Sequence, residues 1–139
     1  MIINLPGEKD SSQTGVIQFK LPKLYFDRKF MYKVGVHFVY LERREDESTV
    51  DGELLCLNTN LVDGSSVNPM QTIFHFNHSR KMNHSRRGAP SIVYYSLHLF
   101  DFEHATFEVT RPFSPERLDI EKIFIQLEIV KIDPYGRIQ

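Results

Sequence analysis

The densest chemistry in this chain lies in Asn77-His78-Ser79-Arg80-Lys81-Met82-Asn83-His84-Ser85-Arg86-Arg87, where Asn-His-Ser-Arg occurs twice, six residues apart. Three chemistries compete for it. As a metal site, His75, His78 and His84 would supply imidazoles. Residues three apart on a strand point to opposite faces, however, and no carboxylate or thiol lies nearby in sequence to complete a tetrahedral shell. No metal and no cofactor is therefore expected. As glycosylation acceptors, Asn77 and Asn83 both fit Asn-x-Ser, a motif short enough to recur by chance. The N-terminus Met1-Ile2-Ile3-Asn4-Leu5-Pro6-Gly7 lacks the basic and long apolar regions of a secretory signal, so glycosylation is not expected either.

The third reading is a basic loop. Arg80, Lys81, Arg86 and Arg87 set four positive charges within eight residues, and no acid occurs between Asp63 and Asp101 to offset them. Such a loop is either solvated surface or a contact for an anion. The anion would be nucleic acid phosphate or an acidic loop on another subunit. An acidic segment exists: Glu42, Glu45, Asp46, Glu47, Asp51 and Glu53 cluster against Arg43 and Arg44. If each connection reverses strand direction, the acidic and basic loops emerge at one end and can pair within or between subunits.

Catalysis finds little support. Cys56 falls within an expected strand, where a buried thiol is inert. No G-x-S-x-G elbow, H-E-x-x-H, Walker loop or G-x-G-x-x-G is present. His98 and His104 flank Asp101 and Glu103, a mixture suited in principle to acid–base work, but a solvated loop beside Phe100 and Phe102 explains it as well. The expectation is a protein that is not an enzyme. Leu24-Tyr25-Phe26, between Pro22 and Asp27, places three large apolar groups in a connection. They either fold over the core, the favoured reading, or form an apolar contact with a neighbouring subunit.

The elements that must position these residues are strands. Apolar residues alternate with a period of two through most of the chain. In 14–21, Ile17, Phe19 and Leu21 share a face. In 30–41, Tyr32, Val34, Val36, Phe38 and Tyr40 share one, with Lys33, Gly35 and His37 opposite. Ile123, Ile125, Leu127 and Ile129 form the third clear case. Weaker candidates are 53–61, 71–77, 91–100 and 105–110, with 2–5 as a further short strand. Turn chemistry separates them at Asp51-Gly52, Asp63-Gly64-Ser65-Ser66, Gly88-Ala89-Pro90 and Pro134-Tyr135-Gly136. Only 114–122 looks helical, with Ser114 as N-cap, Pro115 at N1 and Glu116 in the first turn.

The 139 residues, 41% apolar and 25% charged, suit one domain with one core, spanning 1–139. A net charge of -1 provides no general field toward nucleic acid or an anionic membrane, and no apolar run is long enough for a membrane helix. A single cysteine excludes an internal disulfide, and folding in the cytosol is expected. The fold class expected is all-β: an antiparallel β-sandwich, a single jelly roll of about eight strands.

Residues 53–139 also carry a resemblance. An apolar strand leads to Asn60-Leu61-Val62-Asp63-Gly64-Ser65-Ser66-Val67-Asn68-Pro69-Met70, then to a strand over 72–76. A basic loop, Tyr94-Tyr95 and Phe107-Glu108-Val109 follow. The close is Ile120-Glu121-Lys122-Ile123-Phe124-Ile125-Gln126-Leu127-Glu128-Ile129 and an Asp133-Pro134-Tyr135-Gly136 turn. This order resembles the C-terminal pattern of jelly-roll capsid proteins of the Polinton (Maverick) and adintovirus group. The acidic loop and the doubled Asn-His-Ser-Arg are not parts of that pattern. The group's major capsid protein has two jelly rolls and is several times longer, so the resemblance implies the minor capsid protein, the penton. It further implies a cofactor-free subunit of the virion, made in the host cell cytoplasm or nucleus. Such a subunit would assemble through sheet edges and loop ends into a cyclic homo-oligomer, a pentamer, beside the major capsid protein. The alternative is a monomeric β-sandwich recognition module that binds a protein or carbohydrate through its loops.

Overall fold

The structure is a computed structural model that describes residues 1–8, 16–20, 26, 27, 29–42, 53–62, 70–78, 84–88, 92–97, 104–114, 116–118 and 120–139. For Glu8, His78, 84–88 and His104 it describes the backbone only. Among these residues nine strands follow in chain order: β1 Ile2–Glu8, β2 Val16–Lys20, β3 Met31–Glu42, β4 Glu53–Thr59, β5 Gln71–His78, β6 His84–Gly88, β7 Tyr94–Ser96, β8 His104–Thr110 and β9 Lys122–Ile132. They form a β-sandwich. One sheet has the order β1-β9-β3-β6, with β7 also on β3; the other has the order β2-β8-β4-β5. Every pairing is antiparallel.

Strand β3 pairs with β9 along one edge. On its other edge, β6 lies opposite Phe38 to Glu42 and β7 opposite Lys33 to Gly35. Thus β6 and β7 act as one interrupted strand. Counted so, the pairs are first with last, second with seventh, third with sixth, and fourth with fifth. The chain passes between sheets at each connection except those joining β4 to β5 and β6 to β7.

The two-residue alternation explains the core. Ile123, Ile125, Leu127 and Ile129 of β9 face inward beside Ile3 and Leu5 of β1 and Val34 and Val36 of β3. From the other sheet come Ile17, Phe19, Leu55, Leu57, Ala105, Phe107 and Val109. Phe19 meets the Phe107 ring edge-on at 5.6 Å between centroids.

One expected face is wrong beyond its midpoint. Across β3 and β9 the register shifts between Val36, opposite Leu127, and Phe38, opposite Gln126. His37 is the extra residue of a β-bulge, and a one-residue slip moves later side chains to the other face. Val39 and Leu41 are therefore buried, whereas Phe38 and Tyr40 lie on the outer face, half-buried.

The expected helix over 114–122 is also absent among the described residues. Residues 111–114 form a turn, Arg117 bridges Thr110, and the Leu118 amide donates to the Val109 carbonyl at 2.9 Å. Ser114 Oγ accepts from the Glu116 amide at 3.2 Å, but no helix follows. Leu118 and Ile120, two residues apart, are both buried, which an extended chain permits and one helical turn does not.

Val39→Asp is expected to lower unfolding free energy by at least ~3 kcal/mol, because it places a carboxylate among apolar neighbours. Phe38→Asp, its neighbour on the outer face, should cost about 1 kcal/mol. Urea denaturation of both variants checks the bulge: equal losses would mean that the strand alternates without interruption.

Candidate interaction surfaces

The segment expected to be one basic loop is divided. Arg86 and Arg87 belong to β6, with Cα partners Tyr40 and Val39 on β3, so they sit in a strand. The backbone edge of β3 takes 84–88 into the sheet despite its charge. Arg80 and Lys81 lie outside the described residues, as do Glu45, Asp46 and Glu47 of the acidic loop. Glu42 ends β3, opposite His84 of β6 and Lys122 of β9. Its Oε2 accepts the Tyr40 hydroxyl at 3.1 Å, which raises the phenol above its ordinary pKa.

The residues that bound the two charged connections are paired. The acidic connection runs from Glu42 to Glu53 and the basic one from His78 to His84. Glu42 lies opposite His84 in one sheet, and Glu53 opposite His78 in the other. Both connections therefore leave and return at the same two corners of the sandwich. Beside these corners, Arg111 Nε donates to Glu53 Oε1. The Glu121 amide also donates to the Glu42 carbonyl at 2.8 Å, which ties the start of β9 to this end.

Of the apolar trio, Leu24 and Tyr25 lie outside the described residues. Phe26 packs against the core and meets the Tyr32 ring edge-on at 4.8 Å. Of the histidines, His75 is exposed on β5, His78 ends that strand, and His84 starts β6 in the opposite sheet. Among the described residues no group of three or more His, Cys, Asp or Glu gathers as metal ligands. His98, Asp101 and Glu103 lie outside the described residues, and His104 starts β8 opposite Lys20. Cys56 is buried, and burial pushes its thiol pKa up; Sγ lies 3.4 Å from His75 Nδ1.

Two polar clusters were not anticipated. On the outer face of the β2-β8-β4-β5 sheet, buried Asn58 donates to Thr110 Oγ1 at 3.0 Å and Glu108 Oε1 at 3.3 Å, and accepts from Thr72 Oγ1 at 2.5 Å. Arg117 Nε donates to Glu108 Oε2 at 3.0 Å, fastening the returning chain over this network. On the outer face of the other sheet, bulged His37 brings Nε2 to 2.5 Å from Glu128 Oε2. The Tyr94 hydroxyl donates to the same oxygen at 2.8 Å. Gly35 makes room for Tyr94: a Cβ there would lie 2.5 Å from Ile92 Cγ2 and 3.0 Å from the Val93 carbonyl. The sequence signal for this cluster is Val36-His37-Phe38-Val39, where a polar residue interrupts an apolar run and two apolar residues then follow together.

The His37 and Tyr94 hydrogen bonds hold the Glu128 carboxyl below the usual range. The folded-state value lies below the unfolded one. Its contribution to stability is thus present at neutral pH and is lost as pH falls through the folded value. Glu128→Gln should lower stability near neutral pH by less than about 1 kcal/mol, as suits a partly exposed pair. The gap to the unsubstituted protein should close well below about pH 4.3, the ordinary glutamate value. Urea midpoints measured across this range decide it, and a gap independent of pH would contradict the assignment.

Comparison of the chain with protein-family models, with curated proteins and with solved structures returned no match.

Proposed function

We propose that this chain is a jelly-roll structural subunit of a viral or virus-derived capsid, a penton-like vertex protein that assembles into a cyclic homo-oligomer. The observation that carries this reading is the pairing order. A jelly roll is a long antiparallel hairpin rolled into two sheets, which joins its first strand to its last and each successive pair inward. With β6 and β7 counted as one interrupted strand, the orders β1-β9-β3-β6 and β2-β8-β4-β5 support that reading. The resemblance of residues 53–139 to Polinton and adintovirus capsid proteins points the same way. One such roll over the given residues suits the penton reading.

Topology alone does not dictate role, so assembly state is the decisive measurement. Its partners in this reading are other copies of itself and a major capsid protein, and its place is the virion. The basic segment at Arg80, Lys81, Arg86 and Arg87 then meets the acidic segment around Glu42, Glu45, Asp46 and Glu47, within one subunit or between neighbours. Contact of the basic segment with packaged nucleic acid is the lesser use.

Size-exclusion chromatography with light scattering should give a mass near five times the 16.3 kDa protomer, with rings visible by negative-stain microscopy. Charge reversal of Arg80, Lys81, Arg86 and Arg87 should weaken assembly and flatten its dependence on salt. A salt-insensitive monomer at high concentration would overturn the reading in favour of a monomeric recognition module.

A further inference from the structure

The turn after β8 is built against its own sequence. Ser114 N donates to the Arg111 carbonyl at 3.2 Å, closing Arg111-Pro112-Phe113-Ser114 with proline in the second position. Phe113, in the third, has φ 59°, a left-handed conformation that such turns normally assign to glycine or asparagine. A bulky side chain held there is strained. The ring gains nothing inside its own chain, because Phe113 is fully exposed. Arg117 bridges Thr110, so Phe113 stands at the tip of a short hairpin that prolongs β8.

The opposite sheet holds a fitting recess. Pro6, Phe124 and Tyr40 lie side by side across β1, β9 and β3 on the outer face. With Gly7, Lys122 and Ile123 they line an open groove of about 420 Å³, large enough for a phenyl ring by the usual dimensions of binding clefts. Phe38 flanks it, its ring 6.2 Å from that of Phe124. Hairpin and groove lie at the same end of the sandwich, joined through the Glu121–Glu42 hydrogen bond, but on opposite sheets.

We infer that Phe113 of one copy seats in the Pro6–Phe124 groove of the next, a head-to-tail contact that forms the ring; this rests on the self-assembly proposed above. A second copy is the occupant for two reasons. A projection on one sheet and a recess on the other make a heterologous contact, which generates rings where the rotation closes. Placement of both at one end of the sandwich keeps successive copies level and favours a ring over a filament. Charge agrees with this arrangement. Exposed Glu116 lies three residues from Phe113, and exposed Lys122 lines the groove; neither has an ion-pair partner among the described residues.

The test uses light scattering and thermal melting on the full chain. Phe113→Asn relieves the backbone strain while removing the ring. It should weaken association about 30-fold, as loss of a central aromatic anchor does, yet raise the melting temperature of the dissociated protomer. Phe124→Thr should weaken association similarly. Glu116→Lys and Lys122→Glu should each weaken it about threefold, and the double reversal should restore it. If the unsubstituted chain assembles and both aromatic variants assemble equally well, this contact is wrong while the assembly reading stands. If the unsubstituted chain is monomeric at all concentrations, both fall.

Discussion

The sandwich depends on the pairing of β9 with β3. The last strand of the chain lies between β1 and β3, and its inward residues Ile123, Ile125, Leu127 and Ile129 form the floor of the core. In the order of this sheet, β1 is attached only through β9, while β6 and β7 are attached only through β3. Without the β3–β9 ladder the sheet separates into unrelated pieces. Joining segments so far apart in sequence carries a loop-closure cost before contacts offset it, which marks this as a slow-folding topology. The strength of the alternation in these two strands compensates for that distance: they are the longest of the described strands and bury a nearly continuous apolar face.

That same alternation made most of the fold legible in the sequence. Period-two burial in β9 and the first half of β3 needs no partner to be recognised. Legibility failed where a local rule was overridden by a distant contact. His37 shifts the register of β3, and periodicity counted straight through it assigns Phe38 and Tyr40 to the core in place of Val39 and Leu41. Ser114-Pro115-Glu116 has the composition of a helix start, but the Leu118 amide is taken by the Val109 carbonyl, and Leu118 and Ile120 sink together into the core. Tertiary burial outweighs local propensity there, because capping favours a helix by only about 1 kcal/mol.

The candidate surfaces were less legible, for a related reason. Charge clustering can be read along the chain, so the acidic and basic segments stood out, and simple reversal of strand direction put them at one end. The structure adds that their bounding residues are paired, Glu42 with His84 and Glu53 with His78. The His37, Glu128 and Tyr94 cluster joins three strands that no spacing rule connects, and Asn58 finds its partners on both neighbouring strands. Phe113 was hidden because its conformation, not its type or spacing, is what sets it apart.

The sheet edges bear on how copies of this chain can meet. An open edge is a template for pairing with another strand, and proteins suppress it with proline, bulges, short strands or interruptions. Each of these appears here. Edge strand β1 contains Pro6, edge strand β2 has five residues, β5 shifts register against β4 at Ile73, and Ile92 and Val93, just before β7, lie outside any strand. Among the described strands, main-chain pairing between copies is therefore disfavoured at each of these edges. Of the sheet edges and loop ends through which the capsid resemblance implies assembly, the loop ends then carry more of the proposed contact. The proposed ring must instead be held by side chains on faces and ends, where the outer aromatic groove and the strained hairpin tip are both placed. Contacts of that kind depend on shape and on a few anchors, so they set a definite angle between neighbours. A continuous edge ladder would let the sheet grow without limit.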